Sequence, residues 1–191
     1  MHNLREVVER AAAGDAAARA ELAQATWPDV YRIAYSLLHD PHAAQDAAQE
    51  ASARTWSRIE QLQSPERFNV WLYRIVTNEC RRLKRRDDRY VPHADPPAFP
   101  YEHDSDDLID VRRAIASLDA SLRIVVLLRY YYNLTSAEIA YVLAISPVTI
   151  RWRLMIAHRR LRGLLAEDAS VPATPPSSGV VYVNESIVNN R

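Results

Sequence analysis

Residues 135–162 read TSAEIAYVLAISPVTIRWRLMIAHRRLR, and the punctuation of this stretch decides the fold. Thr135 followed three residues later by Glu138 has the spacing of a capping box, which satisfies orphan amides at a helix start. The helix it opens carries Ile139, Ala140 and Leu143 on one face. A short break, Ala144-Ile145-Ser146, follows. Ser146-Pro147 then supplies an N-cap and the proline favoured at the first helical position. In the last helix Ile150, Leu154, Ala157 and Leu161 recur at spacings of four, three and four, a core stripe. Its other face shows Thr149, Arg151, Trp152, Arg153, Arg159, Arg160 and Arg162. A short helix, a tight turn and a longer helix with a polar, basic start is how a recognition helix enters a major groove. The arginines suit guanine edges or phosphates. A solvated basic face on a structural helix is the plainer alternative. Against it stands the local charge: residues 111–166 hold nine Lys/Arg and only two acids, Asp119 and Glu138.

Outward from this motif the apolar period stays helical. Leu108, Val111, Ile115 and Leu118 run at spacings of three, four and three; Trp27, Tyr31, Ala34 and Leu38 repeat the pattern, as do Phe68, Leu72 and Ile75. Sustained alternation is missing, Val180-Val181-Tyr182-Val183 being the one candidate. The predicted fold class is all-α, two small helical domains joined by a flexible acidic linker. Prolines mark the divisions, four between Pro92 and Pro100 and three between Pro172 and Pro176. Such polar, proline-rich stretches bury too little apolar surface to offset their ordering entropy. The expected boundaries are therefore 1–86, a linker over 87–107, 108–166, and a loose extension over 167–191. The second domain, about 55 residues, is marginal by itself, so its linkage to a partner matters.

Composition excludes several chemistries. The chain has 191 residues, 48% hydrophobic and 25% charged, in the ordinary globular range. Its three glycines, Gly14, Gly163 and Gly179, are too scattered for a phosphate cradle of the P-loop or dinucleotide type. Cys80 is the only cysteine, which rules out a disulfide framework and a multi-cysteine zinc site. His39, Asp40 and His42 lie close together, but without a third ligand they read as a helix-to-helix turn. No catalytic constellation, metal site or cofactor is expected. No apolar run, Ile124 to Leu128 included, comes near the roughly 20 residues that span a bilayer. The start, Met1-His2-Asn3-Leu4-Arg5-Glu6, lacks the apolar stretch of a signal peptide. A cytoplasmic protein without membrane insertion is expected. The net charge of zero averages over +2 for residues 1–86, −7 for 87–110, +7 for 111–166 and −2 for the remainder. Such asymmetry points to nucleic acid as partner of the basic part.

A second signal lies at 68–86, where Phe68-Asn69-Val70-Trp71-Leu72-Tyr73-Arg74-Ile75-Val76-Thr77-Asn78 runs into Glu79-Cys80-Arg81-Arg82-Leu83-Lys84-Arg85-Arg86. An aromatic-rich helix leading into a basic cluster suits single-stranded or melting DNA. Phe68, Trp71, Leu72 and Ile75 read as core, and the cations also complement a helix C-terminus. Upstream, Asp46, Gln49, Glu50 and Arg54 share one helical face, suited to a polar partner surface.

These segments together resemble the extracytoplasmic function (ECF) group of bacterial RNA polymerase sigma factors. Phe68 to Arg86 is similar to region 2.3–2.4, Pro41 to Trp56 to region 2.2, and Leu118 to Leu161 to region 4, with Leu127-Leu128-Arg129-Tyr130, Ala137-Glu138-Ile139-Ala140, Thr149-Ile150 and Arg153-Leu154 in place. The resemblance implies a promoter-recognition subunit without region 1.1 or region 3. Its region 2 binds the β′ clamp helices of core RNA polymerase and reads the −10 element as separated strand. Its region 4 binds the β flap and reads the −35 element as duplex.

Carried over by position, Asp46, Gln49, Glu50 and Arg54 take the β′ contact. Asn78, Arg81, Arg82, Lys84, Arg85 and Arg86 take −10 DNA, and the stretch from Ile59 to Arg67 takes the place of the pocket for a flipped base. Thr149, Arg151, Trp152 and Arg153 become −35 readers, with Arg159 and Arg160 on the DNA backbone. Promoter DNA and core polymerase are the implied partners of a chain that is a monomer when free, with an anti-sigma factor as a further candidate. The sequence departs from the family pattern at Ser52 and Ala53, where an apolar pair is usual, and at Ala43 and Ala47. In region 4, Ala144 and Val148 stand where glycine is usual, and Trp152 replaces a small polar residue. Trp152 either meets a thymine methyl or packs on the preceding helix. The alternatives are a helix-turn-helix regulator or a degenerate sigma-like protein, each acting without core polymerase.

Overall fold

The structure is a computed structural model that describes residues 4–86 and 106–168; all but the last two residues of the expected 87–107 linker, and all but the first two of the expected 167–191 extension, with Val180–Val183, lie outside it. Eight α-helices follow in order among the described residues: α1 Leu4–Ala12, α2 Ala16–Leu38, α3 Pro41–Trp56, α4 Phe68–Arg86, α5 Asp106–Ala116, α6 Ala120–Val126, α7 Ser136–Leu143 and α8 Pro147–Asp168. Two single 3-10 turns, Ile59–Gln61 and Pro65–Arg67, lead into α4.

Each junction has a local chemical cause. Gly14 turns the chain between α1 and α2 at φ +96°, a conformation that suits glycine. Asp15 then caps α2, its carboxylate accepting from the Ala17 and Ala18 amides at 2.9 and 3.1 Å. Arg10 donates to the other carboxylate oxygen at 2.7 Å. These bonds, the backbone one first, hold the Asp15 carboxyl below its usual pKa. α2 ends at His39 in the left-handed region, φ 55°. Asp40 caps α3 by accepting from the Ala43 amide at 2.7 Å, and Pro41 takes the first helical position. The His-Asp-Pro segment is thus a helix-to-helix turn.

α3 buries Ala44, Ala47, Ala48 and Ala51, a face of methyl groups that lets α2 and α4 approach closely. The expected stripe on α2 is inside at Ala34 and Leu38, while Trp27 at its upper end is 38% exposed. On α4, Phe68 and Leu72 are buried, with Trp71 and Ile75 packed around them.

Beyond α6 the chain widens into a π-type turn, Leu127–Tyr131, closed by the Tyr132 amide donating to Leu127 at 3.2 Å. α7 starts with the full capping box, Thr135 and Glu138 each satisfying the other's amide. Ile139, Ala140 and Leu143 are buried, as their spacing predicts. The turn to α8 passes through Ala144 in the left-handed region, φ 49°, and Ser146 caps the start of α8 by accepting from the Thr149 amide at 3.1 Å.

The two helical domains share much of their core. One continuous cluster runs from Val8, Leu22, Ile33 and Phe68 through Ile124, Leu128, Ile139 and Ile150. A smaller one, Leu118, Leu122, Val126 and Ala157, lies between α6 and α8. The second block was marginal on size alone. It buries the apolar faces of α6 and α7 against α2 and α4, and so the first block is part of its core.

Candidate functional site

Three surfaces gather the residues singled out above. The first is an open groove of about 610 Å³ lined by Asp46, Gln49, Glu50 and Ala53 of α3 and by Arg82, Leu83 and Arg86 of α4. Behind the Arg82 wall Glu79, whose side chain is only 5% exposed, lies between two cations, Arg54 at 2.8 Å and Arg82 at 2.7 Å. Arg82 also reaches Glu50 at 3.6 Å. That outer pair is solvated and adds little. The buried carboxylate matters more, because an ion taken from water needs its partners in place. The helix pair thus offers acids on one wall and cations on the other, fitting a charged partner of mixed sign. Three of the four residues assigned to β′ line the groove, and the fourth, Arg54, pairs with Glu79 instead. Ala47 is buried and Ser52 half-buried, so of the departures noted in α3 Ala53 is the one that faces the groove.

The second surface is the face of α4 carrying Arg74, Thr77, Asn78 and Arg81, and α7 sits on it. A helix leaves its last four carbonyls without intrahelical donors. In α7 the Ala140 carbonyl accepts from the Ile145 amide at 3.2 Å, and the other three find donors on α4. Arg74 donates to Tyr141 at 2.8 Å, Thr77 to Val142 at 2.8 Å, and Arg81 to Leu143. The two arginines also complement the negative end of the α7 dipole. Arg74 stacks over the Tyr141 ring at 4.0 Å, and Arg81 also holds the Asn78 side-chain oxygen at 2.8 Å. Of the −10 candidates, Arg81 is therefore engaged at this seam, Asn78 is exposed beside it, Arg82 lines the groove, and Lys84, Arg85 and Arg86 are exposed at the end of α4.

The exchange runs the other way at α6. Arg123, 8% exposed, donates to the carbonyls of Ser36 in the last turn of α2 and Ala116 at the end of α5, at 3.2 and 2.6 Å. Burial pushes its pKa down to about 10, still charged at neutral pH. Tyr132 completes the seam, its ring 4.7 Å from that of Tyr73 and its hydroxyl donating to the Asp29 carboxylate at 3.1 Å.

The third surface is the outer face of α8. Arg151, Trp152 and Arg159 are exposed there, and Arg153 is half-buried. Thr149 is tied to the helix start, its hydroxyl 2.8 Å from that of Ser146, and Arg160 pairs with Asp119. Trp152 takes the outward of its two placements, 57% exposed. Cys80 is buried and its thiol pKa is pushed up to about 12 by that burial, which makes it inert.

A family model for sigma-70 region 2 matches residues 22–90, which hold the groove and the α4 face. A model for sigma-70 region 4 matches residues 108–161, which hold α6, α7 and the exposed start of α8. The ECF RNA polymerase sigma factor SigL of Mycobacterium tuberculosis is 30% identical over 167 residues, covering 81% of this chain and 94% of SigL. The chain belongs to the ECF sigma factors. SigE of Mycolicibacterium smegmatis, another ECF sigma factor, is 33% identical over 155 residues, 75% of this chain; the chain spans only 60% of that relative's length. A solved structure of CnrH in complex with the cytosolic domain of CnrY is similar at a TM-score of 0.59, with 25% identity, covering 86% of this chain and 98% of CnrH.

In this sigma factor the functional residues that sequence reasoning missed are Glu79, Arg74, Thr77 and Arg123. Glu79 is the single acid at the head of a basic run, and Arg123 the single cation inside the apolar stretch Leu122–Leu128. A lone opposite-character residue in a uniform run was the available signal. Thr77 and Arg74 gave none, because their partners are main-chain carbonyls that every residue carries.

Proposed function

We propose that this ECF sigma factor binds core RNA polymerase and directs it to promoters, as a binding subunit without catalysis of its own, acting in the cytoplasm. The Asp46, Gln49 and Glu50 wall of the groove takes the β′ clamp helices. Asn78 and the cations of α4 take the −10 strand, and the outer face of α8 takes the −35 duplex. The observation that carries this reading is the pair of charged surfaces on one chain. A regulator acting through the helix-turn-helix alone has no use for the groove between α3 and α4, whose walls carry both signs of charge.

Reading a −10 strand with Arg81 requires α7 to leave α4, since its guanidinium is bound to the Leu143 carbonyl there. The closed arrangement is then the resting form of the free chain, and docking on polymerase supplies the energy that parts the two blocks. The test is run-off transcription with purified core polymerase on a genomic fragment library, with start sites mapped. Discrete start sites that appear only with the added chain support the reading. Their absence, or unchanged co-purification of an Asp46→Arg variant with core polymerase, overturns it.

A further inference from the structure

The outer face of α8 is not only basic. Val148, Trp152 and Met155 follow at spacings of four and three, which places them in one row on the helix surface, and they are 64%, 57% and 53% exposed. The opposite face of the same helix is closed, with Ile150 and Ala157 at 0% exposure, so the core has no use for the outward row. Large apolar side chains standing together in solvent mark a surface that is covered in use. The row starts at the second residue of the helix, in the same turn as Ser146 and Thr149, at the end that a helix-turn-helix presents to DNA.

The flanks identify what covers it. Arg151 precedes Trp152, Arg159 continues the row one turn beyond Met155, and both are exposed. No acid lies between Pro147 and Ala166. A polyanion fits this frame of cations. The apolar strip inside it faces the major groove, where thymine is the only base to present a methyl group.

We propose that Val148, Trp152 and Met155 are specificity-determining residues of the −35 contact and select thymine by covering its C5 methyl group. Arg151 and Arg159 anchor the helix beside them. The inference rests on the promoter-reading function proposed above and adds the base that this helix selects. Trp152 supplies the largest apolar area and sits between the other two, so it carries most of the discrimination. A guanidinium reads hydrogen-bonding edges, and a row of carbon and sulfur does not. The two kinds of contact therefore divide the site between guanine-bearing and thymine-bearing positions.

The test uses holoenzyme assembled from the full chain and core RNA polymerase. A random-sequence duplex pool is selected for binding, and each thymine of the winning −35 segment is then replaced singly by deoxyuridine, which keeps the base pair and removes only the methyl. Binding should weaken about fourfold at one or two positions, the worth of one methyl group returned to water. In the Trp152→Ala holoenzyme the same replacements should have no further effect, while circular dichroism of the variant matches the parent. If uracil is accepted at every position, the thymine assignment is overturned, and Trp152 contacts sugar and phosphate instead. If Trp152→Ala leaves promoter binding unchanged, the row belongs to a protein partner and the assignment is again overturned. If the holoenzyme enriches no sequence at all, the promoter-reading function itself fails, which separates that outcome from the other two.

Discussion

The Arg81 guanidinium donates to the main-chain carbonyl of Leu143, the last residue of α7. With the bonds from Arg74 and Thr77 it completes the C-terminal capping of a helix in one block with side chains from the other. Arg123 returns the relation at the end of α2 and, within its own block, also meets the end of α5. Polar groups at a buried seam must be paired to be tolerated. Here each block meets the other's unpaired helix ends, so the closed form satisfies groups that water would have to satisfy in an open one.

Thr77 gives the cleanest measure of that seam. Its hydroxyl is buried and reaches the Val142 carbonyl, and valine has the same shape without the donor. Thr77→Val should lower unfolding stability by about 1–3 kcal/mol, the range for leaving a buried acceptor unsatisfied. Thr77→Ser should stay near the parent. Urea midpoints at unchanged slope check both. A Thr77→Val protein as stable as the parent would show that α7 does not rest on α4 in solution.

Ala144 holds a left-handed conformation at φ 49° between α7 and α8, with its methyl group in solvent. An L-residue is disfavoured there by about 1–2 kcal/mol relative to glycine, whose own greater freedom in the unfolded chain offsets part of the gain. Ala144→Gly should therefore stabilise the fold by up to about 1 kcal/mol without touching a packing contact. Thermal unfolding of the two proteins side by side tests this, and a lower midpoint for the glycine variant would contradict the strain assigned to the turn.

His39 makes the stability pH-dependent. Burial lowers its pKa first, and the cations Arg123 and Lys84 add to the shift. Tyr35 stacks on the ring with centroids 5.7 Å apart. The unfolded chain binds the proton near the ordinary value, about 6.5, and the folded chain only at lower pH. The stability due to the neutral ring is complete above about pH 6.5 and is lost as pH falls toward the folded pKa. His39→Asn suits the left-handed backbone and does not titrate. The stability difference between parent and variant should shrink, or reverse in the variant's favour, as urea titrations move from pH 7.5 to pH 5. A constant difference would mean that the ring titrates as it does in water.

The sequence made local chemistry legible and left long-range chemistry hidden. The capping box at Thr135 and Glu138, the Ser146-Pro147 start and the Asp40-Pro41 turn each depend on residues within four positions of one another, and the structure has all three. The inward stripe of α7 followed from period alone. The seam did not, because Arg74 and Tyr141 are 67 positions apart and the acceptors are backbone atoms. Arg82 shows the same limit within one helix. Its place in a basic run gives no sign that a buried acid three residues earlier holds it beside the groove.

That acid supports the last prediction. Glu79 sits at 4% exposure, and its two oxygens face Arg54 and Arg82, which are themselves only partly exposed. Glu79→Gln keeps the size and removes the charge, leaving two cations with an amide between them. Their mutual repulsion is then no longer offset, and both side chains are free to swing toward solvent. Stability should fall by about 2 kcal/mol, within the range for breaking a buried, hydrogen-bonded charge. Arg82 in the groove wall should also lose its anchor, so affinity for core polymerase should fall more than the stability loss accounts for at a temperature where the variant is fully folded. Binding titrations with labelled core enzyme at 15 °C separate the two effects. Undiminished affinity in a folded Glu79→Gln protein would show that Arg54 and Arg82 need no positioning, and that the partner reads only the outer wall of Asp46, Gln49 and Glu50.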